Sequence, residues 1–505
     1  MQLPRQDGLA STTFTPLPLD DPEGLLLPNV LHYHAKFNSD HPVFVYQDGV
    51  SGPKITLTWA DAFRAFERVG RVMLRKIDGA SPRTVVGVLA ASDQITYLTT
   101  LGGLLLAGLV PFLISPRNSD AAIAHLLRST ECTHLLVNEA DASTCKLAEA
   151  VQARMAEGRD GLTVSLLSLP SYEEIFRDDS AVVTPLPKLK VADDDVAAIM
   201  HSSGSSAFPK VVSISHRFLR ETGLTPYSGE VDLAGQVLSI HAIPMFHMLG
   251  LNEFLYGVYN GMALAGFSPR SPVPKVPTGD IVLAAAQGTA ATMLVYVGSR
   301  PTDHDAAEQP HRRDLWRRTS EAYIFFCSGR PEAHGSTESV GDSLAAHGAH
   351  LVHQYGSTEA SGVSLVVPAQ NPEEGWDWFK ARTSWTNRIR PPAHCRFTAL
   401  PPHEPNIRTR RPARRIPTFF PGRPPTSRQK QRELTSSQAC ASHTPAILDA
   451  SRRFDTNDLL LQHPTNSTLW KVYGRQDDQI VHSNGEKTNP VPLGMFSSPI
   501  RARRE

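Results

Sequence analysis

From about Leu31 to Val297, short apolar runs alternate with segments whose apolar residues recur at helical spacing, and this alternation constrains the fold more than any other feature. Trp59–Leu74 has the helical spacing, Thr84–Ala90 (TVVGVLA) reads as a buried strand, residues 97–109 as a helix and Val110–Ile114 as the next strand. Ala121–Leu127 then reads as a helix, Thr133–Val137 as a strand, and Val196–Met200 as a fourth buried strand. A crossover long enough to hold a helix returns the chain to the same end of a sheet, so strands joined this way run parallel. The expected fold class is α/β. A chain of 505 residues, 41% hydrophobic, is long enough to bury such a core, which excludes wholesale disorder, collagen and small disulfide scaffolds.

Charge and cysteine usage narrow the partners. Fifty basic residues balance fifty acidic ones, so no global field steers the chain toward nucleic acid or an anionic membrane. Cys132, Cys145, Cys327, Cys395 and Cys440 are odd in number and form no C-x-x-C pair, which fits a reduced, cytoplasmic setting. The first 24 residues hold no apolar core of a secretory signal. Tyr97–Ile114 is apolar enough to raise a membrane question, but three glycines and Pro111 interrupt it. A buried helix running into a core strand is the better reading, and a soluble protein is expected. His32, His34 and His41 lack acidic or cysteine partners at metal-ligand spacing, so solvated or capping histidines are expected there.

Directly after the fourth strand comes Ile199-Met-His-Ser-Ser-Gly-Ser-Ser-Ala-Phe-Pro-Lys-Val-Val212. A Ser/Gly-rich loop offers backbone N–H groups and hydroxyls to phosphate oxygens, and Lys210 adds a cation. It is not a Walker A loop, having no second glycine and no Ser/Thr after the lysine. On composition alone, a flexible Ser-rich loop fits equally well. Order and neighbours decide the matter. HSSGSSAFPK resembles the phosphate loop of adenylate-forming (AMP-binding) enzymes, [ST]-[ST]-G-[ST]-[ST]-G-x-P-K. In that family's order follow Ile243-Pro-Met-Phe-His247-Met-Leu-Gly250, similar to P-x-F-H-x-x-G, and His353-Gln-Tyr-Gly-Ser-Thr-Glu359, similar to Y-G-x-T-E. Asp455-Thr-Asn-Asp458 resembles the T-G-D ribose motif, Tyr473-Gly-Arg475-Gln-Asp-Asp478 the G-R-x-D hinge, and Ser483–Pro490 the loop after it. With Ser115–Ser119 (SPRNS), this wording resembles adenylation domains of fungal synthetase-like proteins and adenylate-forming reductases. The resemblance covers roughly residues 20–375 and 454–495.

The resemblance implies a multi-layer, acyl-CoA-synthetase-like large domain that joins a carboxylic acid to AMP, with ATP as substrate and Mg²⁺ as cofactor. Ser202, Ser203, Gly204, Ser205, Ser206 and Lys210 would hold the leaving phosphates. Thr358 would contact the AMP phosphate, and Glu359 would hold Mg²⁺. Tyr355 and Gly356 would lie near adenine, with His353 and Gln354 as the polar wall. Asp458 and Arg475 would serve the ribose, and His247 would sit by the substrate carboxylate. Phosphopantetheine would enter only on a partner carrier domain, with a reductase or thioesterase in another chain. Neither nucleic acid nor membrane is expected as a partner. Each residue has a plainer reading: His247 as a bonded core histidine, Thr358-Glu359 as a helix start, Asp458 as a cap, Arg475 as a solvated charge.

The sequence also departs from the family. Ala207 replaces the second loop glycine, where a Cβ would crowd phosphates or oppose a positive φ. Ser328-Gly-Arg-Pro-Glu332 stands where G-G-A-P-L is expected, and Val297–Gln309 is unusually polar. Residues 381–430 hold ten prolines, eleven arginines, one lysine and one acidic residue, Glu404. Such a stretch cannot offset its ordering entropy by apolar burial. A basic nucleic-acid-binding arm, a disordered linker and an out-of-frame segment replacing the connecting sheet remain its three readings. The expected organisation is an extension over 1–30, the large domain over 31–375, and the basic segment over 376–453. The ribose-binding end and hinge follow over 454–475, then a truncated start of the small domain over 476–505.

Overall fold

Local signals set most element ends. The computed structural model describes residues 13–49, 51–77, 79–158, 160–176, 185–202, 208–271, 277–297, 323–327, 350–358, 361–364, 367, 375–380, 458–475, 480–481 and 487–488. α1 (Leu27–Phe37) leads into the hairpin β1 (Pro42–Gln47) and β2 (Lys54–Thr58), then α2 (Trp59–Lys76), opened by a Thr58–Asp61 capping box. The alternation follows: β3 (Val85–Leu89), α3 (Gln94–Leu106), β4 (Val110–Leu113), α4 (Asp120–Ser129), β5 (His134–Val137), α5 (Ala142–Ala156), β6 (Ser165–Ser168) and a single turn, α6 (Tyr172–Ile175). A second hairpin, β7 (Val196–Ser202) and β8 (Lys210–Ser215), precedes α7 (His216–Gly223). Then come β9 (Val237–Ser239), α8 (Met248–Asn260), β10 (Ala263–Ala265), α9 (Gly279–Gly288), β11 (Met293–Val297), β12 (Tyr323–Cys327) and β13 (His350–Gln354).

The strands form a six-stranded sheet, β6-β5-β3-β4-β7-β8, parallel except for β8, and a seven-stranded sheet, β13-β12-β11-β9-β10-β1-β2, parallel except for β2. One core cluster joins the inner side chains of both sheets to α2, α3 and α8; a second lies under α4 and α5 on the other face of the six-stranded sheet. Burial on both faces explains why β3, β4 and β5 are continuous apolar runs.

Every residue of α3 is buried, so the segment that raised the membrane question is apolar all round because protein surrounds it. Among the described residues no helix is long and apolar enough to cross a membrane. α3 starts at Gln94, earlier than its periodicity suggests, because the Asp93 carboxylate accepts the Thr96 N–H at 2.8 Å. It ends at Leu106 because Gly108, at φ +74°, turns the chain into β4.

One expectation is corrected. His34 and His41 are neither solvated nor caps: both are buried ties between the N-terminal segment and the end of α8. His34 Nε2 bonds the Val258 carbonyl at 2.7 Å and His41 Nε2 the Gly261 carbonyl at 2.8 Å. Burial pushes the His34 imidazole down to about 3, so it packs neutral against Trp59. Whether residues 381–430 replace a connecting sheet lies outside the described residues, but a small sheet forms from residues on either side of them. After the hairpin β14 (Gly356–Ser357) and β15 (Ser361–Gly362), the short strand β16 (Phe379–Lys380) pairs antiparallel with β18 (Leu469–Arg475), which also pairs with β17 (Asp458–Gln462). A three-stranded sheet thus links residues on either side of the basic window, and β16 lies inside the 376–453 segment. β19 (Ile480–Val481) and β20 (Lys487–Thr488) form a last ribbon. Residues 381–457 lie outside the described residues.

Candidate nucleotide site

In open parallel sheets, ligands bind beyond the carboxyl ends of the strands. β4 and β7 are neighbours there, with Phe112 opposite Ile199. β7 runs to Ser202, beyond the expected Met200, so His201 and Ser202 sit in the ladder opposite Val211 and Lys210. Ser203, Gly204, Ser205, Ser206 and Ala207 lie outside the described residues. At the far end of that loop Phe208 stacks on His125 of α4, ring centroids 5.1 Å apart, and Lys210 is exposed.

The Ser115–Ser119 loop leaves β4 and closes on the same place. The Ser115 N–H donates to His201 Nε2 at 3.1 Å, and Asn118 Nδ2 lies 3.3 Å from the same nitrogen. The loop is braced internally by the Arg117 N–H on Ser115 Oγ at 3.2 Å, and Ser119 Oγ caps α4. Burial, reinforced by nearby His247, pushes the His201 imidazole down to about 4, so it is neutral near pH 7.

His247 is the N-cap of α8, its Nδ1 accepting the Leu249 N–H at 3.3 Å; its ring is half-buried. Three residues on, a Cβ on Gly250 would lie 2.8 Å from Met245 Cα, which explains the glycine of this motif. The Arg117 guanidinium lies over the Phe246 ring, 5.7 Å from its centroid, so the β4 loop touches the His247 segment as well as β7.

The third component follows β13. Tyr355 is buried and stacks on Phe379 of β16, centroids 5.3 Å apart and planes 25° off parallel. Gly356 opens a hairpin so tight that a Cβ there would sit 2.2 Å from the Ser361 carbonyl oxygen. Half-buried Thr358 lies in its turn, not at a helix start; Glu359 lies outside the described residues. Ser361 adopts φ +57°, and its hydroxyl donates to Asn252 Oδ1 of α8 and accepts from Thr222 Oγ1 of α7, both at 3.1 Å. Asn252, Thr222 and Ser361 escaped sequence reading. The one local hint was Ser361-Gly362 just after the Y-G-x-T-E motif.

His353, the penultimate residue of β13, has both ring nitrogens buried and unpartnered among the described residues; burial pushes it down to about 4. Gln354 follows it, half-buried, opposite Cys327. Asp458 and Arg475, more than a dozen residues apart in sequence, are direct register partners across β17 and β18. This sheet is tied to the body by Lys380 to Glu230 at 3.0 Å and internally by Lys471 to Asp377.

The strand ends and the α8 N-terminus thus carry imidazoles (His201, His247, His353), an exposed ammonium (Lys210) and a hydroxyl (Ser202), donor types suited to a heteroaromatic, anionic ligand. Among the described residues no group of three or more His, Cys, Asp or Glu side chains is placed to hold a metal ion.

Known proteins carry the same pattern. The model of the AMP-binding enzyme family matches residues 31–384. The adenylate-forming reductase Nps10 of Heterobasidion annosum is 30% identical over 96% of this chain and 41% of its own length. Nps11 of Serpula lacrymans is 27% identical over 94% of this chain and 40% of its own. The chain thus spans about two-fifths of the length of these curated relatives. Among solved structures, the adenylation domain of a keto acid-selecting NRPS module, bound to keto acyl adenylate, superposes with a TM-score of 0.59 at 17% identity, covering 96% of this chain and 86% of that one. ATP-bound MatB from Rhodopseudomonas palustris gives 0.56 at 17% identity, over 94% and 84%. The structural likeness is one of fold; the family model spans well over half of the sequence, and the chain belongs to the AMP-binding enzyme family.

Proposed function

We propose that this chain activates a carboxylic acid as its acyl-adenylate. A carboxylate oxygen attacks the α-phosphorus of ATP, the bond to the bridging oxygen of the β-phosphate breaks, and pyrophosphate leaves. Positioning and charge neutralisation supply most of the catalysis in such a displacement. The observation that carries the reading is the convergence of three motif loops, from β4/β7, the α8 N-terminus and the β13 hairpin, through the Ser115–His201, Arg117–Phe246 and Asn252–Ser361 contacts.

Ser202 to Ser206 and Lys210 hold the leaving phosphates, and Thr358 the phosphate that becomes AMP. His353, Gln354, Tyr355 and Gly356 line the adenine side, while Asp458 and Arg475 receive the ribose. His247 meets the carboxylate. Glu359 is the residue that would hold Mg²⁺, which when bound neutralises phosphate charge. The acyl group would pass to a phosphopantetheine thiol on a carrier domain and then to a reductase or thioesterase; of these, the printed names of the relatives, adenylate-forming reductases, support a reductase. A cytoplasmic location fits the free thiols of Cys132 and Cys145.

ATP–pyrophosphate exchange across aryl, α-keto and amino acids tests this. Exchange dependent on one acid class, reduced at least tenfold by Asp458→Ala and by Thr358→Ala, is the expected result. Folded protein that exchanges with none of them overturns it. Ala207 in the phosphate loop favours a second reading, a nucleotide binder without turnover. Tight binding of an acyl-AMP analogue without exchange would select that reading.

A further inference from the structure

We propose that Ser115 and Asn118 are positioning residues that fix the tautomer of His201, so that His201 Nδ1–H donates to a β- or γ-phosphate oxygen of ATP. This rests on the function proposed above, and it assigns a role to the β4 loop and to the residue preceding the phosphate loop.

Two donors converge on one ring nitrogen. The Ser115 N–H is 3.1 Å from His201 Nε2, and Asn118 Nδ2 is 3.3 Å from it. A backbone N–H has no other role than donor, so Nε2 is the acceptor and the single proton of the neutral ring resides on Nδ1. Burial keeps the ring neutral, which maintains that assignment through the physiological range. Nδ1–H makes no hydrogen bond among the described residues. The ring is held at the carboxyl end of β7, one residue before Ser202, opposite Val211 in the ladder. The loop that fixes it is itself fixed twice more, by Ser119 at the head of α4 and by Arg117 over Phe246. A ring nitrogen held by two donors of one braced loop, with a single N–H left over, is a preorganised contact for an anion. A donor held in place costs no reorganisation when the leaving phosphates gain charge.

Amide replacements separate the two ring nitrogens. Asparagine places an N–H near the Nδ1 position, whereas glutamine reaches toward Nε2. Isothermal titration of ATP, pyrophosphate and AMP into the folded full chain, with melting temperature as the folding check, reads the difference. His201→Asn is expected to keep ATP and pyrophosphate affinity within about threefold; His201→Gln weakens both by about tenfold and leaves AMP, which lacks the leaving phosphates, unchanged. Asn118→Asp places an acceptor against Nε2, draws the proton there, and reproduces the His201→Gln pattern. ATP affinity unmoved in all three variants, or ATP and AMP weakened together, overturns the proposal. A wild-type chain that binds neither ATP nor AMP instead brings down the adenylation reading itself, and this one with it.

Discussion

Each of the two large sheets presents a motif loop at the carboxyl end of its strands, and the two loops are held by different chemistry. At the end of the six-stranded sheet a neighbouring loop acts on the imidazole that precedes the Ser/Gly-rich motif: Ser115 and Asn118 converge on His201. In the seven-stranded sheet the loop after β13 is a hairpin held by backbone proximity at Gly356 and by a hydroxyl chain, Thr222 to Ser361 to Asn252, which reaches α7 and α8. The first arrangement tolerates changes that keep a ring nitrogen in place. The second tolerates almost no added volume, because the backbones already touch.

The largest expected effect comes from breaking the second arrangement. Gly356→Ala adds a Cβ 2.2 Å from the Ser361 carbonyl oxygen, so the hairpin must open. ATP affinity, measured calorimetrically, is expected to fall by about a hundredfold, or ~2.7 kcal/mol. Ser361→Ala keeps the volume but removes both hydroxyl bonds in a buried setting, with an expected loss of about tenfold in ATP affinity and ~1–3 kcal/mol of stability. Ser361→Gly separates the two contributions: it relieves the positive φ while losing the same bonds, so it should melt above the alanine variant yet bind ATP no better.

The smallest effect lies in α8, the helix beneath this hairpin. Glu253 is buried beside Asn252 without a partner among the described residues, and burial pushes its carboxyl up to about 8. The unfolded chain ionises near 4.5 while the folded chain holds the proton to about 8, so this group costs stability progressively as pH rises between those values. Glu253→Gln removes the penalty. Its melting temperature should exceed wild type by about 2 °C or more at pH 8, with a gain that shrinks toward pH 5. A difference that does not change with pH would show that the carboxyl is not held neutral.

What was legible in the sequence follows the same division. Y-G-x-T-E and P-x-F-H-x-x-G could be read because close backbone approach at Gly356 and Gly250 admits one residue type, which leaves a local signature. The parallel strands could be read because burial on both faces forces continuous apolar runs. The hydroxyl chain could not: Ser361 bonds residues 109 and 139 positions away, and such a pairing imprints no pattern on either stretch of sequence. His34 and His41 were misjudged for the same reason, since their carbonyl partners lie 224 and 220 residues on. The hairpin β1–β2 is not a continuous apolar run, and the pairing of β16 with β18 was missed because β16 has only two residues and its partners lie about 90 residues on.

The pairing of Phe379 with Trp470 and of Lys380 with Leu469 has an energetic corollary. Those contacts bring together two points of the chain roughly 90 residues apart, and the entropy of closing so long a span grows only logarithmically with its length. Reducing the span about ninefold would therefore stabilise the three-stranded sheet by only ~2 kcal/mol. By that arithmetic the sheet bearing Asp458 and Arg475 is nearly indifferent to how much chain is threaded between its first two strands. The Pro/Arg-rich stretch between Lys380 and Asp458 is thus one where added length costs this sheet little.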